Sequence, residues 1–252
     1  MCAQEAGWWT EFFVDFRPMF NLLDLKTTNN QAKYLIKKLG LEPGKSFLDC
    51  PAGIGRLSFP IARKGVRVTC VDLTKSYLDE IKLKAKRANL KIQTVHSDMR
   101  RINFDSQFDA AGNLGTSIGY FPREADNFLV LKKLFKALKP GNKFALHVTN
   151  RDWIMANFQR RDWVRLGNNV LLTEDRIFDF RTSVIRSTWI FHKDRKQKSY
   201  EVSLRLYSFH EMNELLKKVG FINIEGFGSV KGEPVSLRSN AMWIFGTKPG
   251  KR

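Results

Sequence analysis

The sequence predicts an α/β fold: a largely parallel, doubly wound sheet carrying a small inserted antiparallel β-sheet. Three observations predict it. From residue 46 to about 150, short apolar runs alternate with stretches of helical spacing, the rhythm of strand–helix–strand units. After about residue 160 that rhythm stops, and three β-rich segments follow with no helix between them. A helix and two closely spaced apolar runs then close the chain.

The elements follow in order. Residues 8–20 (WWTEFFVDFRPMF) carry Trp9, Phe12, Phe13, Phe16 and Phe20 at helix-like intervals, and this helix either folds Trp9, Phe13 and Phe16 over a ligand as a lid or packs on the sheet. Residues 29–39 give a second amphipathic helix through Leu35, Ile36 and Leu39, stopped by Gly40. "SFLDC" is the first strand, residues 54–64 a helix, and "VRVTCVD" a strand ending on Asp72. Thr74 can cap the next helix, which turns Leu78, Ile81 and Ala85 to one side. "KIQTVHSD" and "FDAAGN" are the third and fourth strands. Residues 123–138 form a helix with an apolar stripe of Phe128, Leu131, Leu134, Phe135 and Leu138, closed by Pro140-Gly141. "KFALHVTN" is the fifth strand. "NVLLTEDRIFD", "SVIRSTWIFHK" and "SYEVSLRLYS" then pair antiparallel. A capping box of Ser208 and Glu211 starts a helix that buries Met212, Leu215 and Leu216 and ends at Gly220. "FINIEGFG" and "AMWIFGTK" finish as an antiparallel pair. The expected division is an N-terminal helical cap over 1–40, a core of 41–160 and 206–252, and an inserted β segment over 161–205 that roofs the substrate site.

Composition narrows the class. With 252 residues and 43% hydrophobic content, the chain can bury a sizeable core. No stretch approaches the ~20 apolar residues of a membrane span, and "MCAQEAGWWTEFF" lacks the pattern of a signal peptide. Cys2, Cys50 and Cys70 show no C-x-x-C spacing, which points to reduced thiols, a cytoplasmic location and no metal site. The net charge of +18 raises nucleic acid as a partner. The basic residues are dispersed at helical spacing opposite apolar positions, which is the pattern of solvated faces.

The stretch "FLDCPAGIGR" (47–56) reads as a strand, a glycine-bearing turn and a helix start, the place where ligands sit in an open α/β sheet. From Gly53 the run is G-I-G-R-L-S. The third glycine of a dinucleotide fingerprint is missing, and no G-K-[ST] follows for a phosphate loop. Asp49 at the mouth of the turn would repel a diphosphate but assist an amine-bearing ligand. Asp72, about twenty residues on, can accept both hydroxyls of a ribose or cap the following helix. S-adenosylmethionine, with a ribose, an ammonium group and a sulfonium but no phosphate, satisfies both acids. Pro51 offers no amide and holds φ near −65°, leaving donation and close approach to Ala52 and Gly53.

Together "FLDCPAGIGR", "VTCVDLT", "HSDM", "FDAAGNLGTSIGYF" and "LKPGNKFALHVTN" resemble, in order and spacing, the seven-stranded (class I) S-adenosylmethionine-dependent methyltransferases. The resemblance covers residues 41–150 well and 206–250 more loosely. Pro51 replaces the first glycine of the usual D-x-G-x-G-x-G, a form some relatives share. The resemblance implies a Rossmann-like seven-stranded sheet and a cofactor site. In it, Asp49 and the backbone of Pro51, Ala52 and Gly53 meet the methionine part, Asp72 the ribose, and Leu73 the adenine, with Gly55 also in the cofactor site. Asp98 and Met99 complete the adenine pocket, and Asn113 and Leu114 lie beside the sulfonium. Arg56 either clamps the methionine carboxylate or is a solvated helix residue.

The acceptor side is less constrained. "NLGTSIGYF" lacks the N-P-P-[YF] form that the family uses on adenine or glutamine amino groups, which argues against that substrate group and leaves other RNA or protein targets open; a small-molecule acceptor is the leading expectation. Thr116, Ser117, Tyr120, Asn150, Arg151, Arg205 and Tyr207 are candidate walls of the acceptor pocket. Arg151 or Arg205 could hold an anionic group. Tyr120, His147, Tyr207 and His210 are the candidates for catalytic proton transfer. An RNA methyltransferase and a non-catalytic binding protein of the same fold remain alternative readings.

Overall fold

The computed structural model describes residues 8–166 and 169–250. Cys2 and most of the N-terminal segment read for a signal peptide lie outside the described residues, as does the end of the basic tail. The central sheet has seven strands in the order β10-β11-β5-β4-β1-β2-β3. These are β1 (Ser46–Asp49), β2 (Arg67–Asp72), β3 (Ile92–His96), β4 (Phe108–Asn113), β5 (Leu138–Thr149), β10 (Ile222–Phe227) and β11 (Ala241–Thr247). All run parallel except β11, which is antiparallel to both neighbours. Strand order reverses between β1 and β4, so a crevice must open beyond their carboxyl ends.

Alternation along β1 sends Phe47 to one face and Leu48 to the other. On one side lie α2 (Leu25–Leu39), α3 (Ser58–Ala62) and α4 (Lys75–Arg87). On the other lie α5 (Glu124–Ala137) and α7 (Phe209–Val219). The helix caps are explicit. Asp24 accepts from the Thr27 amide at 2.7 Å, so α2 begins four residues before the apolar pattern does. Gly40 ends it in the left-handed region at φ 63°. The capping box of Ser208 and Glu211 is formed in full.

Several elements differ from expectation. The helix expected over 54–64 is only the short α3, because Gly53 (φ 55°) and Gly55 (φ 74°) hold the preceding chain in left-handed turns. The Thr74 side chain does not cap α4; its amide is taken by Asp72 instead. Leu138 opens β5 rather than closing α5. A short helix, α6 (Arg151–Ala156), follows β5 and is capped by Asn150.

The antiparallel sheet has four strands rather than three: β6 (Arg161–Arg165), β7 (Leu171–Asp179), β8 (Val184–Lys193) and β9 (Lys196–Arg205). The N-terminal α1 (Trp8–Phe16) and a 3₁₀ helix (Arg17–Leu22) lie between this sheet and the main body. Phe12 is fully buried there among Trp189, Phe191 and Tyr200. Among the described residues, no helix is long and apolar enough to cross a membrane.

Candidate active site

The carboxyl ends of β1, β2 and β4 ring a cavity of about 390 Å³. Its floor is the turn after β1, which is held by its own backbone. The Cys50 amide donates to Gly112, and the Ala52 amide donates to Val71 at 2.8 Å. The Gly53 amide donates to the Asp72 carboxylate at 2.8 Å, and the Gly55 amide to Ala52. Donors expected to face a ligand from Ala52 and Gly53 are thus spent inside the turn. This leaves no row of free amides for a diphosphate.

Carboxylates dominate the polar lining. Asp49 is 2% exposed; one oxygen accepts from the Ser58 hydroxyl at 2.5 Å, and the other has no partner. Burial pushes its carboxyl up to about 7, Ser58 opposes the shift, and the nearby Asp72 adds to it. Asp72 is raised by burial too, although the Thr74 and Gly53 amides hold its charged form. Burial also pushes Asp98 up, but the hydrogen bonds and charge of Arg100 outweigh it and leave that carboxyl below its ordinary range. Arg56 is the one cation on the described lining; it donates to Thr28 and is lowered by burial.

The remaining wall is aromatic. Trp9, Phe13 and Phe16 of α1 and Phe20 after it close the cavity from above. Phe13 meets Tyr120 edge-on at 5.9 Å, Trp9 meets Phe121 at 6.2 Å, and Phe20 meets Tyr77 at 5.7 Å. A Cβ on Gly53 would touch only the Phe20 ring, so the turn's open side faces this apolar lid. A buried carboxylate with one unpartnered oxygen, further acids and no spare phosphate donors fit a cationic, ribose-bearing ligand without phosphates. S-adenosylmethionine has that chemistry.

Of the residues expected from sequence, Asp49, Pro51, Ala52, Gly53, Arg56, Asp72, Leu73, Asp98, Met99 and Leu114 line the cavity, as do Thr116, Ser117 and Tyr120. The others do not. Gly55 faces the core, where a Cβ would press on Ile81 and Phe59. Asn113 lies beneath the floor and donates to the Cys50 carbonyl at 2.9 Å. Asn150 caps α6 and donates to the Ser236 and Ser239 carbonyls. Arg151 and Arg205 both pair with Glu211, at 2.7 and 2.6 Å. Tyr207 is 2% exposed and donates to Glu124. His147 lies against Trp243, and His210 is exposed on α7.

Tyr120 is therefore the one candidate for proton transfer that reaches the cavity. Burial and the Glu174 charge push its hydroxyl up to about 12. The inserted sheet contributes no lining residue: α1 and the 3₁₀ helix form the roof, and the sheet backs them. Tyr77, Phe20 and Phe121 escaped the sequence reading as wall residues. The aromatic density of 8–20 was the signal for Phe20.

Residues 47–141 match the family model of a methyltransferase domain. The cypemycin N-terminal methyltransferase of a Streptomyces species is 26% identical over 208 residues, covering 80% of this chain and 82% of that protein. The glycine/sarcosine N-methyltransferase of Aphanothece halophytica is 26% identical over 205 residues, covering 80% and 75%. A crystal structure of an S-adenosylmethionine-dependent methyltransferase from Clostridium acetobutylicum ATCC 824 superposes with a TM-score of 0.78 at 17% identity, over 97% of this chain and 100% of that one. Residues 47–141 thus carry a methyltransferase domain, and the chain as a whole, with its seven-stranded sheet and the acidic cavity at its switch point, resembles the class I S-adenosylmethionine-dependent methyltransferases.

Proposed function

We propose that the protein methylates the nitrogen of a small-molecule acceptor bound under the aromatic roof. The observation that carries this is the lining of the cavity: aromatic and aliphatic walls, three carboxylates and a single arginine. An RNA acceptor calls for a basic trough, and this lining repels phosphate. One relative is a glycine/sarcosine N-methyltransferase by name and another a cypemycin N-terminal methyltransferase, which supports nitrogen.

The residues would divide the work by position. Asp49, with its unpartnered oxygen, would hold the ammonium of S-adenosylmethionine, and Asp72 its ribose. Leu73 and Met99 would pack on the adenine, with Asp98 accepting from its amino group. The cofactor, when bound, would supply an electrophilic methyl on its sulfonium, open to in-line attack with the thioether as leaving group. Thr116, Ser117 and Tyr120 would orient the acceptor, and Trp9, Phe13 and Phe16 would exclude water. Alignment of this kind is worth ~7–11 kcal/mol. No histidine lines the cavity among the described residues, and Tyr120 keeps its proton at neutral pH. A hydroxyl acceptor would want a base on the acceptor side, where Thr116, Ser117 and Tyr120 offer none. A neutral amine needs none to attack.

We further propose the division into a cap (1–40), a core (41–160 and 206–252) and an insertion (161–205) that supports the cap from behind. Calorimetry with S-adenosylmethionine tests the cofactor site. Asp72→Ala is expected to weaken binding more than tenfold, ~1.4 kcal/mol or more, with the fold checked by circular dichroism. No binding by wild type, or equal binding by the variant, overturns the site assignment. Turnover with matched amine and hydroxyl acceptors tests nitrogen; a preference for hydroxyls rejects it.

A further inference from the structure

The net charge of +18 has no role at the cavity. Six of its cations gather at the opposite pole. Helices in this fold run back against the parallel strands, so helix C-termini and strand entries share one end of the sheet. Arg63 and Lys64 follow α3, Arg67 opens β2, Lys86 and Arg87 end α4, and Lys91 precedes β3. The backbone ties them together: β2 pairs with β3, and the Val68 amide donates to the Lys91 carbonyl at 3.2 Å. All six side chains are exposed, and none forms an ion pair among the described residues. Glu42, Asp105 and Asp109, which share this pole, are already matched to Lys45, Lys136 and Lys139. Basic residues in a last helical turn offset the helix dipole. That accounts for Lys86 and Arg87, but not for Lys64, Arg67 or Lys91, which lie outside helices.

Beside this patch is an open cleft of about 670 Å³, lined in part by Ser46, Arg67, Lys91, Gln93, Phe104 and Gln107. Cations for phosphates, amides for base edges and a half-buried aromatic ring are the parts of a single-strand binding groove. The exposed aromatics of the described residues, Phe158, Trp163 and Phe180, lie on or beside the inserted sheet. The patch thus lacks the exposed rings that would enter a bilayer.

We propose that this pole binds single-stranded nucleic acid as a docking partner, not as the methyl acceptor. Arg67 and Asp72 are the two ends of β2, so ~15–20 Å of strand separate the patch from the cavity. A strand held at the patch leaves the cavity free for its small acceptor.

Fluorescence anisotropy with a labelled oligouridylate of about 20 nucleotides tests the proposal. Wild type is expected to bind at low salt, with log K falling against log[salt] at a slope of about −2 to −4, as ~3–6 neutralised phosphates require. Arg67→Glu combined with Lys91→Glu is expected to weaken binding at least ~tenfold and leave calorimetric binding of S-adenosylmethionine unchanged. Should that variant not fold, Arg63→Gln with Lys64→Gln, both exposed, is expected to weaken it ~3-fold or more. Asp72→Ala should retain the oligonucleotide, which separates this site from the cofactor site. No anisotropy change at low salt, or undiminished binding by the folded charge variants, overturns the proposal. So does tighter binding to phosphatidylserine vesicles than to the oligonucleotide, or methyl transfer onto the oligonucleotide.

Discussion

Asp49 carries the sharpest chemistry of any single residue. Buried with one oxygen unpartnered, it holds its proton up to about 7, whereas an ordinary aspartate titrates near 3.8. The folded state therefore binds this proton more tightly than the unfolded chain. Its stabilising contribution is full below about pH 4 and is lost as pH rises toward 7. His147 acts with the opposite sign. Burial and the Arg56 charge lower it from 6.5 to about 4, so its contribution is present above 6.5 and lost as pH falls to 4. The two overlap and offset each other between pH 4 and 6.5. Asp49→Asn removes one partner of that pair. Denaturant titrations are expected to give the variant a stability that climbs with pH across this window relative to wild type, by as much as one proton, ~1.4 kcal/mol per pH unit. Parallel curves would show that Asp49 is already ionised without its ligand. Asp49, Asp72 and Asp98 were legible in the sequence because each ends or follows a strand, and strand ends converge at the switch point. Gly55 stands in the turn that follows Asp49, and Asn113 at the end of β4, each one layer deeper. Spacing alone cannot tell a lining residue from the one that supports it.

Among the elements, the loop from Gly115 to Phe121 joins the cavity wall to the end of β9. The Arg205 amide donates to the Gly119 carbonyl at 2.8 Å, and Asn127 accepts from the Gly119 amide at 3.0 Å. Gly119 sits at φ 111°, and a Cβ there would run into the Arg205 carbonyl. Gly119→Ala must therefore break this junction or distort both segments. A loss of ~2 kcal/mol or more is expected, read as a Tm lowered by ~4–8 °C. An unchanged Tm would show that the loop and β9 are not held this closely. The same junction explains why Arg205 and Arg151 misled the sequence reading as acceptor ligands. Glu211 is fixed by the capping box on Ser208, and both guanidinium groups converge on it. The box itself was legible, and its glutamate was the signal that nearby arginines had a structural partner. Strand β6 was not legible, since "RDWVR" carries two arginines and an aspartate and reads as a charged linker.

At the scale of the whole molecule, α1 stands between two sheets and serves both. Phe12 inserts into the face of the four-stranded sheet, while Trp9, Phe13 and Phe16 of the same helix line the cavity. The aromatic spacing made the helix legible. With rings on several sides, it did not reveal which ring faces which sheet. Further ties hold the helix in place. The Tyr77 hydroxyl donates to the Phe13 carbonyl, Arg17 pairs with Glu80 at 2.9 Å, and Tyr200 donates to Asp15. The roof of the cavity thus rests on a sheet that contributes nothing to the cavity lining. Phe12→Ala tests this dependence, because Phe12 lies outside the cavity lining. Truncating a fully buried phenylalanine costs ~3–5 kcal/mol where the surroundings cannot collapse. Here the loss should fall on α1 rather than on the main sheet. Hydrogen exchange across Trp8–Leu22 is expected to accelerate ~100-fold or more, with little change in β1, β2 and β4. The acceptor KM should rise more than the Kd for S-adenosylmethionine, since Asp49 and Asp72 keep their places on the strand ends. Uniform acceleration through both sheets would instead mean that α1 opens only when the whole molecule unfolds, and the inserted sheet would then be part of the core and not its support.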